Sequence, residues 1–415
     1  MGIDRCLIVD DNSANSLFFE VLFKELGYTA YTATTGDEGL KIAVQNHAQF
    51  VVTAWELSGM PGTIFIQKVR SARNRRFLPC LIYSRRMSEE DVKLTKDLGF
   101  KDILPMPFDK DGASEVIRDV IRRENNISKT EVTLRKMESY VLDGKPQEAL
   151  KLLSDQILQK GEFQCRAYTV TADIWNRLGK TDKALQSAQQ ALEIDADYTK
   201  AKQVLARIYS RQGKHDEAID LLKDLNKSSP LNMSTKVNLG TAYVEADRHD
   251  EAKQVFDDIM QTDDSCQEAK DGMAVMAFKE GDTDLAAQLI AETEAGDELA
   301  RIFNNMGISQ ISSGHFDEGI STYKKAMSLL ADKARLHLLS YNLGLAFKKN
   351  KNFAEAFVEF GKSYVQAPNY EKAYASLADM ANQLKSSGSK PDKDTVKQVK
   401  AARKAFKEGQ SKKSA

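Results

Sequence analysis

Two adjacent carboxylates, Asp10 and Asp11, close the apolar run Cys6-Leu7-Ile8-Val9. A pair of carboxylates suits hard Mg²⁺, which keeps most of its waters and needs one or two protein oxygens. Without metal, two close anions are expected to raise one another's pKa. Asp10 and Asp11 also lead into a helix, with Asn12 or Ser13 as its cap. Other polar or telling residues close later apolar runs. Ala54 follows Phe50-Val51-Val52-Thr53, Ser84 follows Cys80-Leu81-Ile82-Tyr83, and Met106-Pro107-Phe108 follows Asp102-Ile103-Leu104. Ala54 offers only a methyl group at its strand end, and Glu56 lies beyond the strand. Arg70, Arg73, Arg75 and Arg76 cluster after the third helix, and Arg85 and Arg86 follow Ser84. They read as charge at helix ends and in solvated loops, with Arg85 and Arg86 within reach of the two aspartates. His47, His215, His249, His315 and His337 have no paired acid and nucleophile, so no catalytic constellation is visible and no enzyme is expected. Cys6, Cys80, Cys165 and Cys266 lack metal-ligand spacing and read as buried free thiols of a reducing compartment.

The elements that place these residues alternate strand and helix. Five apolar runs, the four above and Tyr28-Thr29-Ala30-Tyr31, are separated by amphipathic stretches. Leu17, Phe18, Val21, Leu22 and Leu26 share one helical face, and further helices are expected near 36–45, 63–72, 88–98 and 113–123. Five βα units predict a doubly wound parallel sheet with its functional edge at the carboxyl ends of the strands.

With Asp10, Asp11, Ser84 and Pro107-Phe108 at those edges, residues 1–125 resemble the receiver domain of bacterial response regulators. The resemblance implies Mg²⁺ on the two aspartates, a phosphoacceptor aspartate after the third strand, a sensing Ser or Thr after the fourth, and a lysine before Pro-Phe. Here the acceptor position holds Ala54 and the lysine position Met106, while Ser84 keeps the sensing position. Ile103 stands where many receivers carry an aromatic switch. The two losses agree with each other, because a buried lysine without a phosphoaspartate would lack a partner. Asp10 and Asp11 then read as a vestigial metal pair able to bind Mg²⁺ weakly, with no cofactor required.

From about residue 130 the chain repeats. Small residues recur at Ala149, Ala184, Ala218, Ala252, Ala286, Gly319 and Ala356, at steps of 35, 34, 34, 34, 33 and 37 residues. Five residues before them stand helix-ending glycines (Gly144, Gly179, Gly213, Gly281, Gly314), replaced by Asp247 and Lys351 in two repeats. Twelve residues before are Ala172, Ala206, Gly240, Ala274, Gly307 and Gly344, and nine before are Trp175, Tyr209, Tyr243 and Phe347. This grammar resembles a tetratricopeptide (TPR) array of about seven repeats, an all-α solenoid. The resemblance implies a concave groove, lined by the first helix of each pair, that takes protein or peptide. Candidate groove residues include Arg166, Lys200, Arg207, Asn238, Asn305 and Asn342, each expected as a solvated position. The fifth repeat is the weakest, with Ala277 in place of the aromatic and an acidic stretch, 293–298, behind it.

The expected divisions are a receiver-like domain over 1–125, a linker at 126–129, the array with its capping helix over 130–385, and a flexible basic tail over 386–415. The last receiver helix is expected to pack near the first repeat. Charges balance, 59 basic against 60 acidic, so nucleic acid is expected at the basic tail alone. No run of about 18 apolar residues exists to span a membrane. The reading is a cytoplasmic adaptor or scaffold in a two-component-type pathway. Protein is expected in the groove, and a histidine kinase or other signalling protein at the receiver. Two alternatives stand beside it: a phosphorylation-switched regulator whose natural chain carries aspartate in place of Ala54, and an RNA-associated regulator acting through the tail.

Overall fold

The structure, a computed structural model, describes residues 3–411 apart from 73, 101, 160, 294–295 and 332. Arg73, Glu294, Ala295, Lys412 and Lys413, which entered the sequence reading, lie outside the described residues. The chain forms two compact units, Met1–Gly272 and Met273–Ala415.

The first unit opens with strands β1 (Arg5–Val9), β2 (Thr29–Ala33), β3 (Phe50–Ala54), β4 (Cys80–Ser84) and β5 (Ile103–Pro105). They form one parallel sheet in the order β2-β1-β3-β4-β5. Helices α1 (Ser13–Glu25), α2 (Gly36–Gln45), α3 (Gly62–Ser71), α4 (Glu89–Asp97) and α5 (Lys110–Asn125) connect and cover it. Every residue of β3 and β4 is buried, as central strands covered on both faces must be. Asn12 caps α1 by accepting from the amides of Ala14 and Asn15. Gly62 starts α3 where a Cβ would collide with the Ala54 carbonyl, so α3 can back onto the end of β3 only through glycine.

The helical array begins in the same unit with α6 (Lys129–Leu142), α7 (Pro146–Leu150) and α8 (Asp155–Leu158). Three regular pairs follow: α9 (Gln164–Arg177) with α10 (Thr181–Ile194), α11 (Thr199–Arg211) with α12 (His215–Ser228), and α13 (Met233–Glu245) with α14 (His249–Thr262). Helix α15 (Gln267–Glu280) carries the division between the units. The second unit holds α16 (Thr283–Glu292), then α17 (Gly296–Ser312) with α18 (Phe316–Leu329), α19 (His337–Lys349) with α20 (Phe353–Gln366), and finally α21 (Glu371–Ser386) and α22 (Lys393–Ser411).

The first repeat departs from the regular pattern. Its second helix, α7, stops after Leu150. Leu150, Leu152, Leu153 and Leu158 all reach the core built on Leu134, Met137 and Ile174. At 3.6 residues per turn, those four positions would point to different sides of one straight helix, so the chain breaks into two short pieces. The tail is a second correction. Residues 393–411 are helical, and α22 lies against α20 with Thr395 and Val399 buried beside Gly361. The flexible reading of this segment gives way to a docked helix, because Val399 finds apolar cover.

The regular pitch has a steric origin. Phe256 is fully buried, and its ring faces Gly240 of α13 and Gly272 of α15. A Cβ on Gly240 would lie 2.8 Å from its Cζ, and one on Gly272 would lie 2.8 Å from its Cε1. Gly344 makes the same notch for Phe360 in the second unit. Between the helices of each pair, Gly144, Gly179, Gly213, Gly281 and Gly314 take positive φ, and Asp247 and Lys351 do so at φ 56° and 61°. Phe256→Ala is expected to cost about 3–5 kcal/mol by leaving a cavity, and Gly240→Val about 1–3 kcal/mol by overfilling the notch. Urea unfolding followed by circular dichroism checks both, and an unmoved midpoint for Gly240→Val would contradict the notch.

Candidate functional site

Asp10, Ala54 and Tyr83 stand at one end of the sheet on three neighbouring strands or their immediate continuation. Ala54 pairs with Tyr83, and β1 runs one residue behind, with Val9 opposite Thr53. The Tyr83 hydroxyl donates to Asp10 Oδ2, and its ring is held by Phe19 and Phe108. Asn15 Nδ2 donates to the same oxygen at 2.8 Å, and the Asn12 amide donates to Oδ1 at 2.8 Å. Asp10 is buried, so protein donors serve both of its oxygens. Burial, then Asp10, raises the Tyr83 phenol well above its ordinary value, which keeps it a donor.

Asp11 turns the other way. Its Oδ2 accepts from the Ser58 hydroxyl and, at 3.1 Å, from the Ser58 amide. The Ser58 hydroxyl is the main cause holding the Asp11 carboxyl below its usual range. The expected mutual raising is therefore corrected for Asp11, because the Ser58 hydrogen bonds outweigh the burial that opposes them. Ser84 donates to the Arg86 carbonyl at 2.7 Å. Arg85 and Arg86 are exposed.

These residues do not fit a bound Mg²⁺. Ala54 brings no oxygen from its side chain, and both carboxylates of Asp10 and Asp11 already accept protein hydrogen bonds. Among the described residues no cluster of three His, Cys, Asp or Glu could hold a metal.

A second cluster joins the sheet domain to the repeats inside the first unit. Asp195, Ser229 and Asp263 occupy the same turn of three successive repeats, 34 residues apart. Each meets the receiver. Lys96 approaches Asp195 at 3.9 Å. The Asp97 carboxylate accepts from Thr199 Oγ1 at 2.6 Å and from Ser229 Oγ at 2.9 Å. Thr199 is the first residue of α11, where a helix favours an anion. Gln67 donates to the Leu231 carbonyl at 2.9 Å and accepts from the Met233 amide at 3.0 Å. Lys68 pairs with Asp263 at 2.9 Å, both nearly buried. At the first repeat, Arg76 pairs with Asp143 at 2.8 Å, while Arg135 is forked by Glu124 and stacks on Phe77. The contacts come from α3, α4 and the loop between α3 and β4, at the edge where β4 starts. The expected contact of α5 with the first repeat is made by Glu124. The arginine cluster is also reassigned: Arg70 binds the carbonyls of Leu78 and Leu98, and Arg76 docks.

The predicted groove residues separate by unit. Arg166 is not a free solvated position: it is forked onto Glu138 at 2.7 Å and pairs with Glu131 at 2.7 Å. Burial opposes its charge, and Glu138 and Glu131 outweigh that. Arg207 pairs with Asp173 at 3.2 Å. Lys200 keeps exposed surface, yet the pKa of its ammonium is lowered. Displaced water is the main cause; Glu138 opposes it, and Arg166 and Arg70 add to it. Asn238 is half-buried. In the second unit Asn342 donates to Asn304 at 2.6 Å, and Asn305 is exposed. Sequence reasoning missed Tyr83, Gln67, Lys68 and Asp97. Only the 34-residue spacing of Asp195, Ser229 and Asp263 hinted at a shared ligand.

A sequence model of the response regulator receiver domain matches residues 6–118, and a tetratricopeptide repeat model matches residues 177–234 and 211–276. The chemotaxis protein CheY of Pseudomonas aeruginosa is 26% identical over 122 residues, 29% of this chain and 98% of the relative. The cell cycle response regulator CtrA of Brucella abortus is 25% identical over 170 residues, 38% of this chain and 71% of the relative. The crystal structure of Vibrio cholerae CheY4 is 24% identical, with a TM-score of 0.28, over 29% of this chain and 99% of its own. The chain therefore carries a receiver domain at its N-terminus and tetratricopeptide repeats further along. It is a signalling protein of the two-component kind with a protein-interaction region, built from two families that are not catalytic.

Two outcomes follow. Lys68→Ala leaves Asp263 charged and nearly buried, at an expected cost of about 3–5 kcal/mol. Hydrogen exchange should rise together at 195–199, 229–233 and 263–266, and Asp263→Ala added to Lys68→Ala should cost less than the sum. Trp55 directly follows Ala54, so its fluorescence reports on the pocket. Millimolar Mg²⁺ is expected to leave it unchanged, and saturable quenching would contradict the closed Asp10–Tyr83 arrangement.

Proposed function

We propose that the protein is a cytoplasmic signalling adaptor whose receiver has left the phosphoaspartate cycle and braces the repeat array. The observation that carries this reading is the receiver's hold on three successive repeat turns, through Asp97, Gln67 and Lys68. The pocket at the far end of the strands supports it. Ala54 offers no acceptor, Met106 offers no cation, and the Tyr83 hydroxyl holds Asp10. Partners are proteins. On the receiver, α1 leaves Leu17 and Val21 exposed, at 60% and 46%, for another signalling protein such as a histidine kinase. In the second unit, Ile308, Leu338 and Leu345 are exposed on first helices of the array. Exposed aliphatic groups on such a scaffold suit a peptide's side chains.

The rival reading, a phosphorylation switch in which position 54 is naturally aspartate, draws on the retained Asp10 and Asp11. The test is phosphoryl transfer from acetyl phosphate with Mg²⁺, read by intact mass, on the chain as it stands and on Ala54→Asp. Neither is expected to gain a phosphoryl group, because Met106 leaves both without the cation a phosphoaspartate needs. A stable adduct on Ala54→Asp would overturn the closed pocket and favour the switch.

A further inference from the structure

Helix α22 carries a surface that the adaptor reading does not use. Its buried side is Thr395 and Val399, with Arg403 stacked over Tyr374 and donating to its hydroxyl. That contact turns the rest of the helix outward. Lys393, Lys397, Lys400 and Lys404 follow one another at steps of four, three and four residues. At 100° per residue they fall within a 60° arc, a straight row about 16 Å long at 1.5 Å per residue. All four are exposed. Among the described residues no ion pair holds Lys393, Lys397 or Lys400, and Lys404 meets only the exposed Glu408 at 3.9 Å. Asp392 keeps its charge while it caps Thr395, and Asp394 lies in the first turn of the helix, yet neither forms an ion pair with the row among the described residues.

The chemistry of the row selects its partner. A protein interface of useful strength needs a dry centre of aromatic, aliphatic or arginine anchors, and lysine is depleted there. Here Val399 is covered by the array, Val396 and Phe406 are half-buried, and the one arginine of the row's helix is engaged by Tyr374. For the same reason no apolar face among the described residues of the helix is free to enter a lipid surface. A nucleic-acid backbone asks for less: repeated point charges at a regular step, without a pocket. We infer that α22 is an electrostatic binding strip for a nucleic-acid phosphate backbone, read without sequence preference because, among the described residues, no exposed aromatic stands beside the lysines to stack a base.

The test uses the full chain and a fluorescent uridine-rich RNA 20-mer, followed by anisotropy. Four phosphate contacts on a single strand give a slope of about −2.8 in log K against log salt, so binding should weaken about 50-fold between 50 and 200 mM salt. Lys397→Glu with Lys400→Glu should weaken binding at 50 mM salt at least tenfold and flatten the slope, while circular dichroism and the melting midpoint stay unchanged. These lysines make no packing contact in the core, so loss of folding does not confuse the result. Absence of binding at 50 mM salt would overturn the inference, as would binding indifferent to the two substitutions. Polyglutamate and vesicles with one quarter anionic lipid are the comparison arms, and tighter binding to either would assign the strip to that partner instead.

Discussion

The fit of a large ring into a notch without a side chain sets the geometry on which the rest of this molecule depends. Phe256 sits where a Cβ on Gly240 or Gly272 would stand within 2.8 Å of its ring. Such contacts fix how closely one helical pair approaches the next, because packed interiors leave little room for adjustment. A constant approach makes a constant step between equivalent turns. Asp195, Ser229 and Asp263 can then be met by one rigid body that does not itself repeat. A parallel sheet wrapped in helices is such a body: the ends of α3 and α4 stand at fixed positions because buried β3 and β4 hold them. The contacts at the three turns thus rest on a buried sheet on one side and a regular helical step on the other.

The pocket at the other end of the sheet follows from one small side chain. Ala54 lies between β1 and β4, and its methyl leaves room for Tyr83 to reach Asp10. A carboxylate at position 54 would crowd that hydroxyl and add a third anion to the row. Once the tyrosine is in place, Asp10 has its donors and a cation has fewer oxygens to claim. Met106 belongs to the same state, since a lysine there would meet no phosphoryl group. Phe108, two residues on, packs on Phe18, Phe19 and Tyr83 and keeps the aromatic side of the pocket closed. Ala54, Met106 and the use of Tyr83 are thus consistent with one another.

Much of this was legible in the sequence because it is periodic. The five βα units, the glycines at positive φ and the 34-residue step all express local rules, and α2 falls on 36–45 as expected. What was not legible depends on register or on contacts distant in sequence. Tyr83 looked like a core strand residue until the pairing with Ala54 placed it beside Asp10. Gln67, Lys68 and Asp97 looked like the polar side of two helices, since nothing nearby in sequence announces partners more than a hundred residues away. The break after Leu150 was hidden by the sound anchor at Ala149. The tail misled through its composition: a lysine-rich segment resembles a disordered end, yet one valine and one threonine in phase suffice to dock it against Gly361.

The charges on the first helices of the early repeats explain why the groove cannot be read from residue type alone. Arg166 is held by Glu131 and Glu138, Glu131 is shared with Arg135, and Asp173 is held by Arg177 and Arg207. A ligand carboxylate approaching Arg166 would have to displace a partner already held at 2.7 Å in bidentate geometry, and a removed glutamate would be left partly buried. Such sets hold neighbouring repeats in register and add little attraction for a newcomer. Ile308, Leu338 and Leu345 in the second unit have no such internal competition. Apolar surface gains by being covered whatever its neighbours do. The same helical grammar therefore gives two different surfaces, one whose polar groups answer one another and one that still has contact area to offer.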